Sequence, residues 1–491
     1  MAVDADLTDW PPLARRAVPY GQIIVGTVVA ALVAVLPPTL AFALLGAIGL
    51  GAVLLARPLI ALYLLVFSIP YGSVRDLQAG GLNITLTQVL VFCGGAAVLM
   101  QAAIAGRLRI RWDAWRRPLL LFMLALILST TQATDLKLSI KELLKLGEWL
   151  LTYLLVLSYV DTPARLRRVL LLLVLAALSQ GLLGLAQTVA HAGPTSFVRA
   201  GALRASGTFD QPNPFAGFLN FTLPLVLAGS ITGVRVVGRL TRPAIVILGA
   251  ALLASGSRGA LLALIAAGAV MALVHAPRTR ILLGLGGATL VGVVAGALIG
   301  VVPVSITTAV LDVFGVSNID VANPTPRDWP TAERLAHQLA GLRMFADHPL
   351  LGVGIGNYPA AYARYQVAPV WANNLGHAHN YYINVAAEAG VVGLGAFVLV
   401  LVSAFVIVTR LYRRAADPVA RTLALGVLGV LTTVAVHSFF DNMFVHEMEA
   451  QLALVIGMVT VTCRLSVERG GAESQREARP ETAARPSIID E

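Results

Sequence analysis

The sequence predicts an all-α polytopic membrane protein with about 12 to 14 transmembrane helices and a small helical extracytoplasmic cap. The composition carries this prediction: 57% of the 491 residues are hydrophobic, only 13% are charged, and the mean hydropathy is +0.79. A soluble globular protein of this length is much less apolar. The long apolar segments are predicted to be helices, because backbone amides in lipid need hydrogen-bond partners within the same segment.

Arginine-rich loops predict how the chain crosses the membrane. These loops are separated by even numbers of predicted spans, and they cover residues 107–117, 165–168, 235–242, 278–280 and 410–421. Because Lys and Arg collect at the cytoplasmic face of membrane proteins, we expect these loops and both termini in the cytoplasm. The net charge of +10 is then explained by orientation in the lipid bilayer, so it does not indicate a nucleic-acid partner.

The same pattern divides the chain into five predicted segments. They are a cytoplasmic N-terminus (1–20), an N-terminal transmembrane bundle (21–302), an extracytoplasmic loop domain (303–385), C-terminal transmembrane helices (386–465) and a disordered cytoplasmic tail (466–491). The tail has too few large apolar residues to form a core. The two cysteines lie in apolar stretches without other ligands at metal-binding spacing, so neither a disulfide nor a cysteine-based metal site is expected.

Two helix starts are predicted within residues 303–385. Thr331 is a suitable N-cap for a helix with leucines at helical spacing, and Asn357 followed by Pro359 is a second start. The run GVGIGN, residues 352–357, lacks the G-x-G-x-x-G spacing and the flanking strand of a nucleotide-binding loop. Its glycines predict a tight turn between two cap helices.

The segment GHAHNYYINVAAEAGVVGLG, residues 376–395, places His377, His379 and Asn380 where the outer loop re-enters the membrane. One interpretation is that these polar residues only close the loop at the membrane interface. A second is that the two histidines bind a metal. A third is that a neutral imidazole acts as a general base and accepts a proton from a hydroxyl. Catalytic zinc usually has three protein ligands, and neither a cysteine nor a carboxylate lies nearby at ligand spacing. We therefore predict no metal.

Two further segments carry outward-facing arginines. Arg204 lies in an outer loop within ALRASGTFDQPNPFAGFL, and Arg258 lies in a short outer turn within SGSRGALL. A cation between two apolar runs is costly unless an anion or carbonyl groups meet it. Guanidinium groups match phosphate, so these arginines predict a diphosphate site that needs no metal, and Arg334 of the cap is a further outer cation. Snorkelling of each arginine to lipid headgroups is the alternative.

The chain has only three lysines, Lys137, Lys141 and Lys145, and they share one helix face. This stripe predicts an interfacial amphipathic helix on anionic lipid. The alternative is that the stripe guides a polyprenyl phosphate, which makes Lys145 a candidate supporting residue.

At these motifs the sequence resembles the O-antigen ligase family, which shares a membrane domain with bacterial O-antigen and exopolysaccharide polymerases. His379-Asn380, nine residues, and then Gly390 and Gly393 match the family signature H-N-x9-G-x-x-G. All the motifs that match the family together extend over less than half of the chain.

An earlier outer-loop signature of the family, R-x-S-G-T-F-x-x-P-N, is matched from Arg204 to Asn213. The run around Arg258 and the segment DHPLLGVGIGNY agree with the family more weakly. The N-terminal spans resemble the family only in hydropathy.

The resemblance implies a metal-independent, inverting glycosyltransferase of the multi-span type without a cofactor, located in the bacterial inner membrane. Its donor would be an undecaprenyl-diphosphate-linked glycan, and its acceptor a hydroxyl of a glycan or glycolipid on the outer face. The resemblance further implies that Arg204 and Arg258 hold the diphosphate and that His379 activates the acceptor hydroxyl. The candidate supporting residues are His377, Asn380, Asn213, Arg334 and Lys145.

Two alternatives remain at this point. Polymerases of the same superfamily use similar donor-side motifs, so these motifs do not identify the acceptor. A lipid-linked oligosaccharide transporter would also need many spans, but it would carry its charged groups near the middle of the membrane. Here the ionisable residues gather on one predicted face.

Overall fold

The structure is a computed structural model that describes residue 27 and residues 37–74, 77–79, 82–104, 115–199, 201–209, 211–276, 319–325 and 328–477. The predicted N-terminus, the stretch around residue 302 that joins the bundle to the cap, and the end of the predicted tail lie outside the described residues.

The described chain is mainly helical. Its α-helices are α1 (Pro38–Ala56), α2 (Pro58–Ser68), α3 (Leu86–Ile104), α4 (Arg116–Ser129), α5 (Leu136–Tyr159), α6 (Pro163–Ala190), α7 (Pro212–Asn220), α8 (Leu223–Thr232), α9 (Thr241–Ala254), α10 (Arg258–His275), α11 (Trp329–Asp347), α12 (Tyr358–Tyr365), α13 (Tyr381–Arg414), α14 (Pro418–His437) and α15 (Met448–Glu477). Two short antiparallel hairpins pair β1 (Leu77–Ala79) with β2 (Leu82–Ile84) and β3 (Val198–Arg199) with β4 (Ala202–Leu203).

Seven helical segments within the described residues are long and apolar enough to cross a membrane: Leu86–Ala103, Pro163–Ala190, Pro212–Thr232, Arg258–His275, Tyr381–Arg414, Pro418–His437 and Met448–Ser466. Helices α1 and α2 form a further apolar pair bent by 111°. The predicted all-α membrane architecture is therefore confirmed. The total of 12 to 14 spans stays a prediction.

Small residues let the central helices pack closely. Helix α14 lies against α8, α10 and α13, and α15 lies against α5. A Cβ atom at Gly426 of α14 would lie 2.8 Å from the Cα of Leu225 in α8. Small side chains permit this close approach between helices in lipid, where association depends on packing.

Helix α13 is broken at Gly390, where φ is +63° and ψ is −165°. The loop 349–357 fills the break: the N–H of Val391 donates to the carbonyl of Pro349 at 2.8 Å, and the N–H of Val353 donates to the carbonyl of Ala387 at 2.9 Å. GVGIGN thus forms the predicted turn between two helices, α11 and α12. The loop 349–357 also supplies hydrogen-bond partners in place of those that the break in α13 removes. These hydrogen bonds connect α11 and α12 to the membrane bundle.

Helix boundaries in the outer segment agree with one of the two predicted starts. Helix α12 begins after Asn357, as predicted. The prediction of Thr331 as an N-cap is wrong, because α11 already begins at Trp329 with Asp328 at the N-cap position and a proline in its first turn. Because the fixed φ of proline suits the first turn of a helix, α11 begins upstream of Thr331.

The end of α15 also differs from its prediction. The helix continues to Glu477, whereas the sequence predicts disorder from residue 466. This extension contains three Glu and two Arg, which are strong helix formers, and it continues a helix that packing has already nucleated.

One end of the bundle is rich in arginine. A small cavity there is lined by residues of α6, α14 and α15 and of the loop after α8, so these elements meet at one end. We call this region the arginine-rich end, defined by Arg165, Arg167, Arg168, Arg235, Arg239, Arg242, Arg410, Arg413, Arg414 and Arg421. Helix α10 starts, and α14 ends, at the opposite end.

Candidate active site

A cavity of about 210 Å³ lies at the end of the bundle opposite the arginine-rich end. Segments distant in sequence contribute its guanidinium groups, which belong to Arg199, Arg204, Arg258 and Arg334. Asp441 is the one carboxylate among the described residues that line it. The cavity wall therefore carries an excess of positive charge, which favours an anionic ligand.

Arg204 follows strand β4 and is held from two sides. Its Nε donates to the carbonyl of Ser255 at 2.6 Å, and its Nη2 donates to Oδ1 of Asn213 at 3.0 Å. Burial, together with the positive charge of Arg199, Arg334 and Arg258, lowers the pKa of Arg204 to about 10. The guanidinium still carries its charge at neutral pH, and an anion in the cavity would relieve the repulsion among these cations.

Arg258 is the first residue of α10, so its side chain and the positive end of the helix dipole are at the same place. The next residue, Gly259, lets this helix end approach the segment after α14 closely, because a Cβ there would lie 2.7 Å from the Cβ of Phe440. The helix terminus and the guanidinium together form a suitable environment for a phosphate group.

The predicted base, His379, pairs with Asp441. Nδ1 of His379 lies 3.1 Å from Oδ1 of Asp441, and both side chains are almost fully buried. Burial alone raises the pKa of Asp441, but the hydrogen bond from His379 and the positive charge around it hold this pKa well below its usual range. An ionised Asp441 keeps the proton of His379 on Nδ1, which leaves the lone pair on Nε2.

The Nε2 atom of His379 is buried and has no hydrogen-bond partner among the described residues. The backbone at His379 is left-handed, with φ of +52°, which costs a residue with a side chain about 1–2 kcal/mol. Its N–H donates to Nδ1 of His377 at 3.1 Å. Asn380 then caps α13 by accepting from the N–H of Ile383 at 3.1 Å. Capping and this hydrogen bond stabilise the strained turn.

Two more histidines lie beside His379. The ring of His377 is 4.3 Å from that of His379, and the ring of His337 in α11 is 5.8 Å away. Burial, with the charge of His379, lowers the pKa of both His337 and His377 to about 4. Both neighbours are therefore neutral at physiological pH and add no positive charge next to the base.

A continuous hydrogen-bonded path joins the arginine to the histidine. Asn213 accepts from Arg204 through Oδ1, and its Nδ2 donates to Oδ2 of Asp441 at 3.0 Å. The other carboxylate oxygen of Asp441 faces His379. Because each amide atom has a defined partner, the orientation of the Asn213 side chain is fixed by the network.

The predicted residues are not all brought together. Arg204, Arg258, Asn213 and Arg334 line the cavity, and His379, His377 and Asn380 lie in the turn bound to Asp441. Lys145 does not line the cavity, and its ammonium pairs with Glu142 at 2.7 Å within α5.

Three side chains of the site lie close enough together to bind a metal ion. His377, His379 and Asp441 place one ligand atom each within 4.8 Å of one another, and Asp441 is the third ligand that the sequence pattern lacks. The Nδ1 atom of each histidine, however, is already engaged, one with Asp441 and the other with a backbone N–H. A metal at these atoms would have to replace both hydrogen bonds.

Four site residues were missed by the sequence reasoning: Arg199, His337, His437 and Asp441. For two of them a signal exists. His437 and Asp441 are ionisable residues at the end of an otherwise apolar helix, in the run HSFFDN, and ionisable residues in such positions mark functional sites. Arg199 and His337 have no comparable local signal.

The comparison with known proteins agrees with this geometry. No curated protein matches the chain. Residues 243–398 match the sequence profile described as O-antigen ligase, and this stretch includes Arg258, Arg334 and His379. The resemblance predicted from the motifs is thereby confirmed, because residues 243–398 are similar to the O-antigen ligase family.

Proposed function

We propose that this protein is a metal-independent, inverting glycosyltransferase. It transfers a glycan from an undecaprenyl-diphosphate-linked donor to a hydroxyl of a glycan or glycolipid acceptor. The observation that carries the proposal is the hydrogen-bonded path from Arg204 through Asn213 and Asp441 to His379, which connects an anion-binding cavity to a base.

The cavity suits the diphosphate of the donor. Arg204 and Arg258, with Arg199 and Arg334, would hold its oxygens, and the N-terminus of α10 would add its dipole. During transfer the bond between the sugar and the diphosphate breaks, and negative charge develops on the departing oxygen. Guanidinium groups already in position stabilise that charge, which is the task a metal ion performs in other transferases.

His379 suits the acceptor. Its Nε2 would accept the proton of the acceptor hydroxyl as the hydroxyl oxygen bonds to the anomeric carbon, and the electron pair of the broken bond leaves with the diphosphate. Asp441 stabilises the imidazolium that forms. A single displacement by an acceptor opposite the leaving group inverts the anomeric configuration.

The charge distribution supports an outward-facing site in a bacterial inner membrane. The arginine-rich end lies opposite the cavity, and Lys and Arg collect on the cytoplasmic side. With this orientation the cavity opens at the outer face, where a lipid-linked glycan would be used. The cavity arginines and the His379–Asp441 pair gather at one end of the bundle, and this placement favours an enzyme over a transporter.

The test is a transfer assay with purified protein, a lipid-diphosphate glycan and candidate acceptors. His379→Ala should abolish transfer and retain donor binding. His191→Ala is a matched control, because His191 is an exposed histidine with a similar left-handed backbone, φ of +50°, and it does not line the cavity. Undiminished product with His379→Ala would refute the base assignment.

The same assay separates ligase from polymerase. A ligase adds one finished glycan to a glycolipid acceptor, so each acceptor shifts once on a gel. A polymerase joins two lipid-linked glycans repeatedly and gives a ladder of chain lengths. Transfer in neither format, with donor bound, would refute the proposed activity.

A further inference from the structure

A second positively charged cavity lies at the arginine-rich end, far from the proposed transfer site. Its volume is about 290 Å³, and it is formed by the end of α8, the following loop and the start of α9. Arg235, Arg239 and Arg242 line it. The transfer chemistry proposed above makes no use of these side chains.

Glycines give this loop its shape. Gly233 and Gly238 have φ of +75° and +60°, a left-handed conformation that glycine adopts without strain. Gly229 lets the loop fold back onto α8, because a Cβ there would lie 2.7 Å from the carbonyl oxygen of Val234. The loop therefore curves around a cavity, whereas an extended connection between α8 and α9 would leave no cavity.

The charge of the cavity is not neutralised by the protein. None of its residues is acidic, and no ion pair of Arg235, Arg239 or Arg242 with a carboxylate occurs within the described part of the chain. All three side chains are exposed. Guanidinium groups that surround a cavity without counter-charges match the geometry of a phosphate group.

The surroundings of the cavity are those of a membrane surface. The apolar segment Pro212–Thr232 ends at its edge. Exposed apolar side chains flank it on both helices: Ile231 on α8 is 39% exposed, and Val246 on α9 is 69% exposed. A ligand with a phosphate headgroup and acyl chains would contact the guanidiniums and these side chains together.

We infer that this cavity binds the phosphate headgroup of an anionic phospholipid in the leaflet at the arginine-rich end. Basic cavities between helices at the cytoplasmic surface bind such headgroups, and each cation near the surface contributes to binding. The inference goes beyond the proposed function, because neither the donor cavity nor His379 takes part in it.

The experiment is native mass spectrometry of the full-length protein, released from nanodiscs that contain phosphatidylglycerol and phosphatidylcholine. The triple variant Arg235→Gln, Arg239→Gln, Arg242→Gln removes the cations of the cavity. The matched control, Arg410→Gln, Arg413→Gln, Arg414→Gln, removes equal charge from exposed arginines at the same end but outside the cavity.

The wild-type protein should retain phosphatidylglycerol over phosphatidylcholine, and the cavity variant should bind it about a hundredfold more weakly. The control should retain it, and the cavity variant should keep its transfer activity if the proposed function holds. Equal loss in both variants would overturn the inference, because general surface charge would explain the retention. Displacement of the lipid by excess inorganic phosphate would also overturn it, because the site would then take the free ion.

Discussion

The Nδ1 atom of His379 lies 3.1 Å from Oδ1 of Asp441, although 62 positions in the sequence separate the two residues. The histidine precedes α13, and the aspartate follows α14. Helices α13 and α14 run as a pair, so the start of one and the end of the other meet at the same end of the bundle. This pairing places the proton of His379 on Nδ1, so that in the proposed function Nε2 would be the atom that receives a proton.

Asp441→Asn is expected to lower the turnover of transfer by about a hundredfold or more. The amide can donate to Nδ1 of His379, which favours the tautomer with the proton on Nε2 and removes the base. Turnover in the transfer assay measures the effect. Asp417→Asn, a partly buried aspartate at the arginine-rich end, is the control and should retain activity. Wild-type turnover in Asp441→Asn would contradict the role of Asp441.

Arg258→Ala is expected to reduce transfer by about a hundredfold, because in the proposed function it removes a cation that would stabilise the departing diphosphate. Arg258→Lys should restore activity only in part, since an ammonium lacks the planar fork of donors. Rates at saturating donor test both variants. Arg364→Ala, a cation of the outer segment outside the cavity lining, should have no effect. Full activity in the lysine variant would instead indicate simple charge attraction.

Asn213→Ala is expected to weaken donor use and slow turnover together, because Asn213 bonds to both Arg204 and Asp441. Asn213→Asp should be more damaging, since a second carboxylate would face Asp441 and one of the pair would have to take up a proton. KM for the donor and kcat are measured separately. A change in only one of the two constants with Asn213→Ala would show that Asn213 does not link the two halves of the site.

EDTA is expected to leave transfer unchanged, because in the proposed function guanidinium groups would supply the positive charge at the diphosphate. The measurement is the rate after dialysis against the chelator. Loss of activity that a divalent ion restores would identify His377, His379 and Asp441 as a metal site instead. In that case His377→Ala should lower metal content in the purified protein.

Gly390→Ala is expected to lower the yield and the thermal unfolding midpoint of the protein. A Cβ at Gly390 would lie 2.2 Å from the backbone carbon of Leu350, and alanine would also be strained at φ of +63°. Gly395→Ala in the same helix is the control, because nothing lies within 4 Å of its Cβ position. Equal midpoints for the two variants would contradict the packing of the loop into the break in α13.

Features that depend on neighbours in the sequence could be predicted. Hydropathy predicts the helical membrane architecture, and the start of α12 at Asn357 follows from residues within one helical turn. The start of α11 was missed because proline and Asp328 compete locally with Thr331 for the same role. The local motifs also provided Arg204, Arg258 and His379 as candidates.

The sequence by itself determined that this chain is a membrane protein with helical spans and that certain of its arginines and histidines are candidates for a site. Only the tertiary structure decided that Asp441 faces His379, that Asn213 joins Asp441 to Arg204, and that Lys145 pairs elsewhere. The physical reason is the separation in sequence between the residues on which each feature depends. Helix formation and lipid partitioning depend on residues a few positions apart, whereas a hydrogen bond between the ends of different helices depends on how those helices pack.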